Sequence, residues 1–526
     1  MTAENTLQFF RQNVRKLGSR PCFQFKQDGK WQTLSWEEAE QRICRIATGL
    51  KALGLKKGDR VAIFSNTRVE WTLCDLAILS VGAISVPIYQ SNTPDQVVYI
   101  LNDAEVRFSF VENKALYQKI KVERNNLRML EKIIFFTGEK VSGDATVLML
   151  ETLEKMEAID LEGRVMQFYH ILVGCTQAYA ESIDKLVENI GEVKPYFFVS
   201  VPRIFEKVYE KVLQQVEAGS PLKKAIFSWA TAVGREVIKR EQDKKMVGLF
   251  LRLQKEISSF LVFKKLRQRM GGRLRFCVSG GAPLSREIAE FFYSAGILIL
   301  EGYGLTETTA AINCNAAKKF KFGTVGLCVG DVKEKIASDG EILVKGPVIF
   351  EGYYNNPQAT KEAFTSDGWF KTGDIGEIDA EGFLRITDRK KDIIVTAGGK
   401  NIAPQNIENL LKTVPFISQV MVHGDRRKYL TALVTLNPQP IEEYARTKKI
   451  QFTAFKDLVQ TPEIYRLVKL AIEEKNKQLA SFESIKKFAI LDQDFTQETG
   501  ELTPTLKVKR KFVNEKYKDV IEGLYS

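Results

Sequence analysis

Histidine is almost absent from this chain of 526 residues, in which only His170 and His423 occur. Zinc and iron centres need clusters of histidine or cysteine ligands, and the seven cysteines include no close pair. We therefore expect no such metal centre and no disulfide framework, and the scattered thiols favour a reducing cytosol. A Ser-His-Asp hydrolase is also disfavoured, because His170 lies in the apolar run 168–173, where a core histidine is the favoured interpretation.

The chain also lacks a long hydrophobic run and a signal-peptide pattern. Its longest apolar stretch, 76–89, contains Gly82 and Pro87 and is too short to span a bilayer. Residues 1–13 show no basic start followed by an apolar core. These absences predict a cytoplasmic protein and leave peripheral contact with a membrane open.

Positive charge is in excess, and the net charge is +12. Such an excess of positive charge is compatible with binding to nucleic acid, to an anionic membrane or to a polyanionic small substrate. No nucleic-acid-binding motif accompanies the charge, so we expect no nucleic acid partner. Segment 246–270 mixes apolar and basic residues, and two interpretations stay open for it. A core-packed helix with a basic outer face is favoured over a helix lying on a membrane surface.

The N-terminal part alternates helical and strand patterns. Helices are predicted at 36–53, 69–80 and 182–190, and strands at 60–64, 83–88, 106–111, 132–136 and 197–201. The strands are almost continuously apolar, which is typical of parallel sheets covered by helices on both faces. The sequence therefore predicts an α/β fold for this part.

Two strands are predicted to run into glycine-containing loops. Strand 273–278 leads into Ser-Gly-Gly-Ala-Pro-Leu at 279–284, and strand 297–300 leads into Glu-Gly-Tyr-Gly-Leu-Thr-Glu at 301–307. Ligands of open α/β sheets bind at the carboxyl ends of the strands. Glycine lets the backbone approach a ligand closely, and free N–H groups suit phosphate. Both loops are therefore candidate ligand-binding segments.

The composition changes after residue 340. Segment 340–387 is rich in Gly, Asp and strand-forming residues and predicts hairpins. A charged stretch at 388–392 follows, and beyond it a small α+β pattern comprises strands 417–422, 430–436 and 488–491 and helix 461–479. We predict a large N-terminal domain of layered sheets and helices at 1–387, a hinge at 388–391 and a small, mobile C-terminal α+β domain at 392–526.

The order and spacing of six segments are specific in combination. They are 279–284, 303–308, 367–374, 386–392, 396–404 and 502–507. With them, nearly the whole chain resembles the adenylate-forming, or AMP-binding, enzymes. Segments 178–182 and 199–205 are similar to the long-chain fatty acyl-CoA synthetase branch of that superfamily.

The resemblance implies a ligase that uses ATP, Mg²⁺ and coenzyme A, with a long-chain fatty acid as substrate. In the family reaction a carboxylate attacks the α-phosphate of ATP, which gives an acyl-adenylate and pyrophosphate. The thiol of coenzyme A then attacks the adenylate and gives a thioester. Chemistry of this kind depends on positioning and on neutralisation of charge.

The resemblance also assigns roles to particular residues. The implied nucleotide-binding residues are Gly280, Gly281, Ala282, Tyr303, Gly304, Asp374 and Arg389, with Tyr303 stacked on adenine and Asp374 on the ribose hydroxyls. The implied catalytic residues are Lys507 at the carboxylate and α-phosphate, Thr306 at the α-phosphate, and Glu307, which holds Mg²⁺. Lys391 is the implied hinge, and Gly398 and Gly399 would line the coenzyme A tunnel.

One family element is missing from the sequence. A Ser/Thr/Gly-rich phosphate loop closed by lysine should fall between about residues 152 and 178, and the chain instead reads Leu-Glu-Gly-Arg-Val-Met at 161–166. The simplest interpretation is an internal deletion near Gly163 to Val165. It predicts impaired activity, because the cradle for pyrophosphate is lost.

Other interpretations stay open. Taken singly, Asp374 is typical of a turn, Lys507 is typical of a solvated basic tail, and 388–392 is typical of a charged linker. Only their occurrence together favours a nucleotide-binding site. At the level of function, the alternative to an acyl-CoA ligase is a non-catalytic relative that binds adenylate or acyl-CoA, or a defective gene product.

Overall fold

The computed structural model describes residues 6–138, 144, 146–155, 174–182, 185–503 and 507–526. The chain forms two compact units, Met1–Asn189 and Ile190–Ser526. Within the described ranges, no helix is long and apolar enough to cross a bilayer.

The first unit contains the predicted βα alternation. Its helices are α1 (Thr6–Leu17), α2 (Trp36–Ala52), α3 (Val69–Ser80), α4 (Pro94–Asp103), α5 (Lys114–Lys121) and α6 (Leu150–Glu154), with α7 (Leu186–Val193) at the boundary of the two units. Its strands are β1 (Pro21–Gln27), β2 (Lys30–Ser35), β3 (Arg60–Phe64), β4 (Ile84–Ile88), β5 (Phe108–Val111), β6 (Lys132–Phe135), β7 (Val147–Met149) and β8 (Gln177–Ala178). Strands β4-β3-β5-β6-β7 form an all-parallel sheet, as the apolar strands predicted.

Local sequence explains several boundaries in this unit. Helix α2 begins at a capping box, in which the Ser35 hydroxyl accepts from the Glu38 amide and the Glu38 carboxylate accepts from the Ser35 amide. Helix α3 has the bounds that its apolar pattern predicted. The helix predicted at 182–190 instead runs through Gly191 to Val193, so Gly191 does not end it.

The second unit begins with a five-stranded sheet. Its strands are β9 (Phe197–Ser200), β10 (Phe276–Ser279), β11 (Leu298–Leu305), β12 (Ala310–Cys314) and β13 (Leu327–Cys328). The helices of this part are α8 (Pro202–Glu217), α9 (Pro221–Gln242), α10 (Leu249–Ser258), α11 (Lys264–Arg269) and α12 (Arg286–Ser294), with a π-helical turn at Ser259–Phe263. Strands β9, β10 and β11 are parallel, and β12 and β13 add antiparallel edges.

The second glycine-containing passage was predicted wrongly as a loop. Strand β11 continues to Leu305, so Gly302, Tyr303 and Gly304 lie in a strand. The reason is a long-range pairing: this segment forms a bulged antiparallel ladder with β12. A tight turn at Thr306–Thr308, closed by Thr309 at φ 49°, reverses the chain.

The stretch predicted to be rich in hairpins forms a four-stranded antiparallel sheet. It consists of β14 (Lys333–Ile336), β15 (Glu341–Lys345), β16 (Phe370–Ile378) and β17 (Leu384–Arg389), with α13 (Pro357–Ala363) between the second and third strands. The register of β16 and β17 sets Asp374 opposite Arg389. This pairing places two predicted site residues side by side.

The C-terminal part has the predicted α+β character. Its strands are β18 (Ile394–Val395), β19 (Asn401–Ile402), β20 (Ile417–His423), β21 (Leu430–Leu436) and β22 (Ile485–Ile490). Its helices are α14 (Pro404–Leu411), α15 (Pro438–Lys448), α16 (Phe455–Val459), α17 (Pro462–Asn476), α18 (Arg510–Lys516) and α19 (Lys518–Gly523). Strand β21 has its predicted bounds, whereas β22 begins three residues before the prediction.

The predicted hinge lies at the end of β17. Asp388 and Arg389 are the last residues of that strand, and residues 390–392 form a turn. The Lys390 ammonium contacts the carboxylates of Asp339 and Glu341 at 2.6 and 2.8 Å. Domain bounds of 1–387 and 392–526 stay a prediction.

Candidate functional site

A cavity of about 630 Å³ lies within the second unit. Its lining includes Gly281, Ala282, Tyr303, Gly304, Asp374, Arg389 and Lys507. These seven predicted site residues come from the β10–α12 connection, β11, the β16–β17 hairpin and the segment before α18. Gln405 and Asn406 of helix α14 complete one wall. Residues separated by more than two hundred positions therefore meet at one concave surface.

Three of these side chains are joined directly. The Tyr303 hydroxyl donates to Asp374 Oδ2 at 2.7 Å, and Arg389 Nε lies 3.0 Å from Asp374 Oδ1. Each oxygen of the Asp374 carboxylate thus has a partner. The cross-strand register supplies Arg389, and the extension of β11 supplies Tyr303. The Thr372 hydroxyl accepts a hydrogen bond from the Asp374 amide at 3.1 Å. This contact fixes the backbone of β16 at Asp374.

Burial controls the electrostatics of this cluster. Asp374 is only 3% exposed, and burial raises its pKa, whereas the Tyr303 hydrogen bond and the charges of Arg389 and Lys507 act in the opposite direction. Burial and the nearby Arg389 charge lower the pKa of Lys507, and Asp374 partly offsets them. The two cations and one carboxylate leave a net positive surface, which suits an anionic group.

The first glycine-containing loop approaches the cavity through its backbone. Gly281 has φ +80°, a left-handed conformation that favours glycine. A Cβ added at Gly280 would meet the Gly302 carbonyl oxygen at 3.5 Å. Gly281 and Ala282 line the cavity, and Gly280 is tied to β9 by its amide, which donates to the Ser200 carbonyl at 3.2 Å.

Glu301 is a cavity residue to which the sequence assigned no role. Its carboxylate is buried, and Oε2 accepts from the Leu284 amide at 3.3 Å. Burial raises the pKa of Glu301 to about 7. One signal was available: an acidic residue directly follows the apolar strand 297–300, where a buried carboxylate is costly unless it has a function or a partner.

Thr306 and Glu307 are not among the residues that line the cavity. They occupy the tight turn directly after Leu305, which does line it. Thr306 is exposed, and Glu307 Oε1 accepts from the Tyr353 hydroxyl at 3.0 Å. Across the described residues there is no cluster of three His, Cys, Asp or Glu side chains able to hold a metal ion.

Lys391, Gly398 and Gly399 also lie outside the cavity lining. Lys391 is exposed in the turn after β17, and both glycines are exposed between β18 and β19. That turn is closed by the Thr396 amide, which donates to the Lys400 carbonyl at 3.0 Å. The predicted deletion near Gly163 to Val165 falls outside the described residues, as does His170.

The fold of this chain is shared with a solved adenylation domain. The adenylation domain of a carboxylate reductase from Mycobacterium chelonae matches it with a TM-score of 0.80 at 20% identity, over 100% of this chain and 92% of that one. This confirms the predicted α/β architecture with a large N-terminal and a smaller C-terminal part.

The chain belongs to the AMP-binding enzyme family. The sequence model of that family matches residues 10–155 and 158–354, and the model of the AMP-binding enzyme C-terminal domain matches 391–526. The recognition made from the six motifs is therefore confirmed.

Curated relatives match almost the full chain. One is named long-chain-fatty-acid–CoA ligase FadD15, from Mycobacterium bovis, and is 37% identical over 565 residues, or 95% of this chain and 93% of the relative. Another, from Homo sapiens, is named long-chain-fatty-acid–CoA ligase ACSBG2 and is 28% identical over 98% of this chain and 92% of its own length. The first alignment is longer than the 526 residues of the chain, so it contains gaps in this sequence.

Proposed function

We propose that this protein is an ATP-dependent ligase that activates a long-chain fatty acid as an acyl-adenylate and transfers the acyl group to coenzyme A. The observation that carries the proposal is the meeting of Tyr303, Asp374, Arg389 and Lys507 at one cavity in a member of the AMP-binding family. The names of the curated relatives support the substrate class.

The nucleotide is assigned to the cavity on chemical grounds. Its aromatic and glycine-lined wall, with Tyr303 and Gly281, suits the flat adenine ring. The Asp374 carboxylate suits the ribose hydroxyls, because its two oxygens offer about four acceptor sites and Tyr303 and Arg389 use only two of them. Lys507 would neutralise the carboxylate and α-phosphate oxygens that approach each other during adenylation.

Mg²⁺ is part of the proposal, with Glu307 and the phosphate oxygens as its ligands. Mg²⁺ usually keeps several waters and takes one or two carboxylates plus phosphate oxygens, so a single carboxylate fits this ion. Glu307 is partly exposed, and among the described contacts its carboxylate accepts one hydrogen bond, from the Tyr353 hydroxyl. Bound Mg²⁺ would neutralise charge on the phosphates, and Thr306 beside Glu307 would bind the α-phosphate.

Coenzyme A is assigned to the exposed turn that contains Gly398 and Gly399. Gly399 has φ +73°, and glycines leave room for a narrow chain to pass close to the backbone. Rotation of the C-terminal part about Lys391 would bring this turn to the adenylate. All seven cysteines are free, which supports a reducing, cytoplasmic compartment for the reaction.

Impaired adenylation is also proposed. The match to the AMP-binding family is interrupted at residues 156 and 157, close to the position where the phosphate loop is missing from the sequence. The gaps needed to align the mycobacterial relative support a loss of residues. The alternative function is a non-catalytic relative that binds adenylate or acyl-CoA.

The test supplies a long-chain acyl-adenylate and coenzyme A to the full chain and follows thioester formation. A ligase should form the thioester faster than the uncatalysed mixture, and Gly398→Trp should block this step by filling the proposed tunnel. Asp95→Trp, on the exposed start of α4, is the control for a bulky substitution. Binding of the adenylate without any thioester would establish the non-catalytic alternative.

A further inference from the structure

Segment 246–261 exposes a stripe of apolar side chains. They are Met246, Leu249, Phe250, Leu253, Ile257, Phe260 and Leu261, which are between 43% and 86% exposed. Leu249, Phe250, Leu253 and Ile257 lie on one side of α10. Phe260 and Leu261 follow in the π-helical turn, and Met246 precedes the helix. We call these seven side chains the apolar face. The favoured expectation of a core-packed helix is wrong for this half of 246–270.

The segment that carries the apolar face is anchored to the protein by the residues that directly follow it. Phe263 is buried, and its ring packs edge-on against Phe291 of α12 with centroids 6.0 Å apart. The Arg267 guanidinium donates to the carbonyls of Ala295 and Ser259 at 2.9 and 3.3 Å. The apolar face is therefore presented by a fixed part of the fold.

Positive charge surrounds the apolar face. Residues 244–275 contain ten Lys and Arg residues and a single acidic residue, Glu256. Arg252, Lys264 and Lys265 are exposed, and the Lys264 ammonium lies 4.9 Å from the centre of the Phe260 ring. Lys244, Lys245 and Lys255 pair with the carboxylates of Glu381, Asp243 and Glu241. The positive charge beside the apolar face therefore comes mainly from Arg252, Lys264 and Lys265.

We propose that the apolar face docks this protein on a lipid surface that contains anionic headgroups. An apolar stripe flanked by cations lies in the plane of a bilayer interface, with the apolar side chains among the upper acyl chains and the cations at the headgroups. A second copy of this chain fits the face poorly, because an isologous contact would bring two strongly basic surfaces together. The proposal is independent of the ligase activity proposed above.

The test is co-sedimentation of the full chain with vesicles, without ATP or fatty acid. Vesicles of phosphatidylcholine alone are compared with vesicles that contain phosphatidylglycerol. We expect binding to be roughly tenfold or more tighter on the anionic vesicles and to weaken when salt is raised from about 0.1 M to about 0.5 M. Equal binding to both vesicles, or none to either, would overturn the proposal.

Two pairs of variants locate the surface. Phe250→Glu with Leu253→Glu should reduce binding roughly tenfold or more, whereas Val122→Glu with Leu470→Glu adds the same charge at exposed apolar sites elsewhere and should not. Lys264→Gln with Lys265→Gln should also weaken binding to anionic vesicles. Lys318→Gln with Lys319→Gln, an exposed lysine pair outside the segment, should do so much less.

Two further measurements distinguish a lipid surface from a second copy of the chain as the partner of the apolar face. The thermal midpoint of each variant should match that of the unmodified chain, since every substituted side chain is exposed. If Phe250→Glu with Leu253→Glu instead abolishes a dimer seen by light scattering and leaves vesicle binding unchanged, the face is an interface between copies and the lipid proposal fails.

Discussion

At the scale of single residues, the buried carboxylate of Glu301 makes stability depend on pH. Burial raises its pKa in the folded protein to about 7, from an ordinary value of 4.5. A raised carboxyl pKa favours the folded state below the unfolded pKa, and this stabilisation is lost as pH rises from 4.5 to 7. We predict that Glu301→Gln, which cannot ionise, will be more stable than the unmodified chain at high pH by about 2 to 3 kcal/mol.

Urea unfolding of both proteins in acidic and alkaline buffer checks this prediction. The two unfolding midpoints should coincide near pH 4.5 and separate above pH 7. Glu151→Gln, an exposed glutamate of α6, is the matched control and should leave the profile unchanged. A parallel shift of the Glu301→Gln profile at all pH values would mean that the carboxylate does not titrate in this range.

Asp374 is expected to govern nucleotide affinity. Asp374→Asn keeps the size of the side chain but removes the charge that faces Arg389 and Lys507. Hydrogen bonds to charged groups contribute about 1.5 to 3 kcal/mol, so AMP binding should weaken by roughly tenfold to a hundredfold. Titration calorimetry with AMP measures the change.

Tyr303→Phe separates the ring of Tyr303 from its hydroxyl. The aromatic surface remains, and the 2.7 Å hydrogen bond to Asp374 is lost, so AMP affinity should fall less than in Asp374→Asn. Asp95→Asn, an exposed aspartate at the start of α4, is the control. Unchanged affinity in Asp374→Asn would remove Asp374 from the proposed nucleotide site.

At the scale of elements, one arginine joins helix α8 to the C-terminal strands. Arg203 Nη1 contacts Glu206 at 3.3 Å and Glu210 at 3.4 Å, and Nη2 donates to the Ser418 hydroxyl at 3.3 Å. Ser418, in β20, donates in turn to Asp494 at 2.6 Å. The arginine thus connects α8 with β20 through a largely buried set of polar groups.

Removal of this arginine should destabilise the protein, and more at high pH. Burial raises the pKa of Glu210 to about 7, so Arg203→Ala leaves an unpaired buried carboxylate mainly above that pH. We predict a loss of roughly 3 kcal/mol in alkaline buffer and a smaller loss near pH 6, measured by urea unfolding. The stability that Glu210 gains by binding a proton is present below 4.5 and is lost as pH rises through about 7.

A double variant tests the pairing directly. Arg203→Ala with Glu210→Gln should recover part of the loss, because the unpaired charge is removed. Arg240→Ala breaks the exposed pair with Glu236 in α9 and should cost less than about 1 kcal/mol. Equal losses at both sites would show that the α8 cluster is no stronger than a surface ion pair.

At the scale of the whole molecule, the two half-reactions should be unequal. Each lost donor to a transition state costs a factor of about 10² to 10³, and the missing loop would supply several donors and a lysine. We predict that pyrophosphate release from ATP, Mg²⁺ and a long-chain fatty acid will be slow, while thioester formation from a supplied acyl-adenylate persists. In the proposed site the adenylate would retain Tyr303, Asp374 and Arg389 as partners.

Pyrophosphate release is measured for the unmodified chain, for Lys507→Ala and for a chain with the loop restored. Restoring the loop should raise the rate by at least about 10²-fold, and Lys507→Ala should lower whatever rate remains. Full activity of the unmodified chain would show that another segment replaces the loop.

The proposed hinge predicts a preferred site of cleavage. Limited trypsin digestion should cut first at Lys390 or Lys391, which lie in the turn after β17 and are both exposed. Glu341→Gln removes one of the two carboxylates that hold Lys390 and should accelerate that cut, as followed by mass spectrometry. Earlier cleavage elsewhere in 185–503 would place the mobile joint at another position.

The apolar pattern of the sequence was sufficient to predict the bounds of elements in which tertiary packing and local propensity favour the same structure. Helix Val69–Ser80 and strand Leu430–Leu436 have the bounds that periodicity predicted, because nearly every residue in them is buried. The pattern failed at Gly302 to Leu305, where antiparallel pairing with Ala310–Cys314 extends a strand through a glycine-rich sequence. Local propensity does not predict a pairing between strands that depends on the tertiary fold.

Membership of the AMP-binding family was determined by sequence alone, since the order and spacing of its motifs survive without coordinates. Tertiary structure decided which of the motif residues meet. Tyr303 and Asp374 are 71 positions apart and become hydrogen-bonded partners only when β11 and the β16–β17 hairpin pack together. Tertiary structure also decided which side chains of 246–270 are exposed. The periodicity of this segment is equally compatible with a helix packed in the core and with one at the surface. The packing of Phe263 against Phe291 leaves the apolar face uncovered.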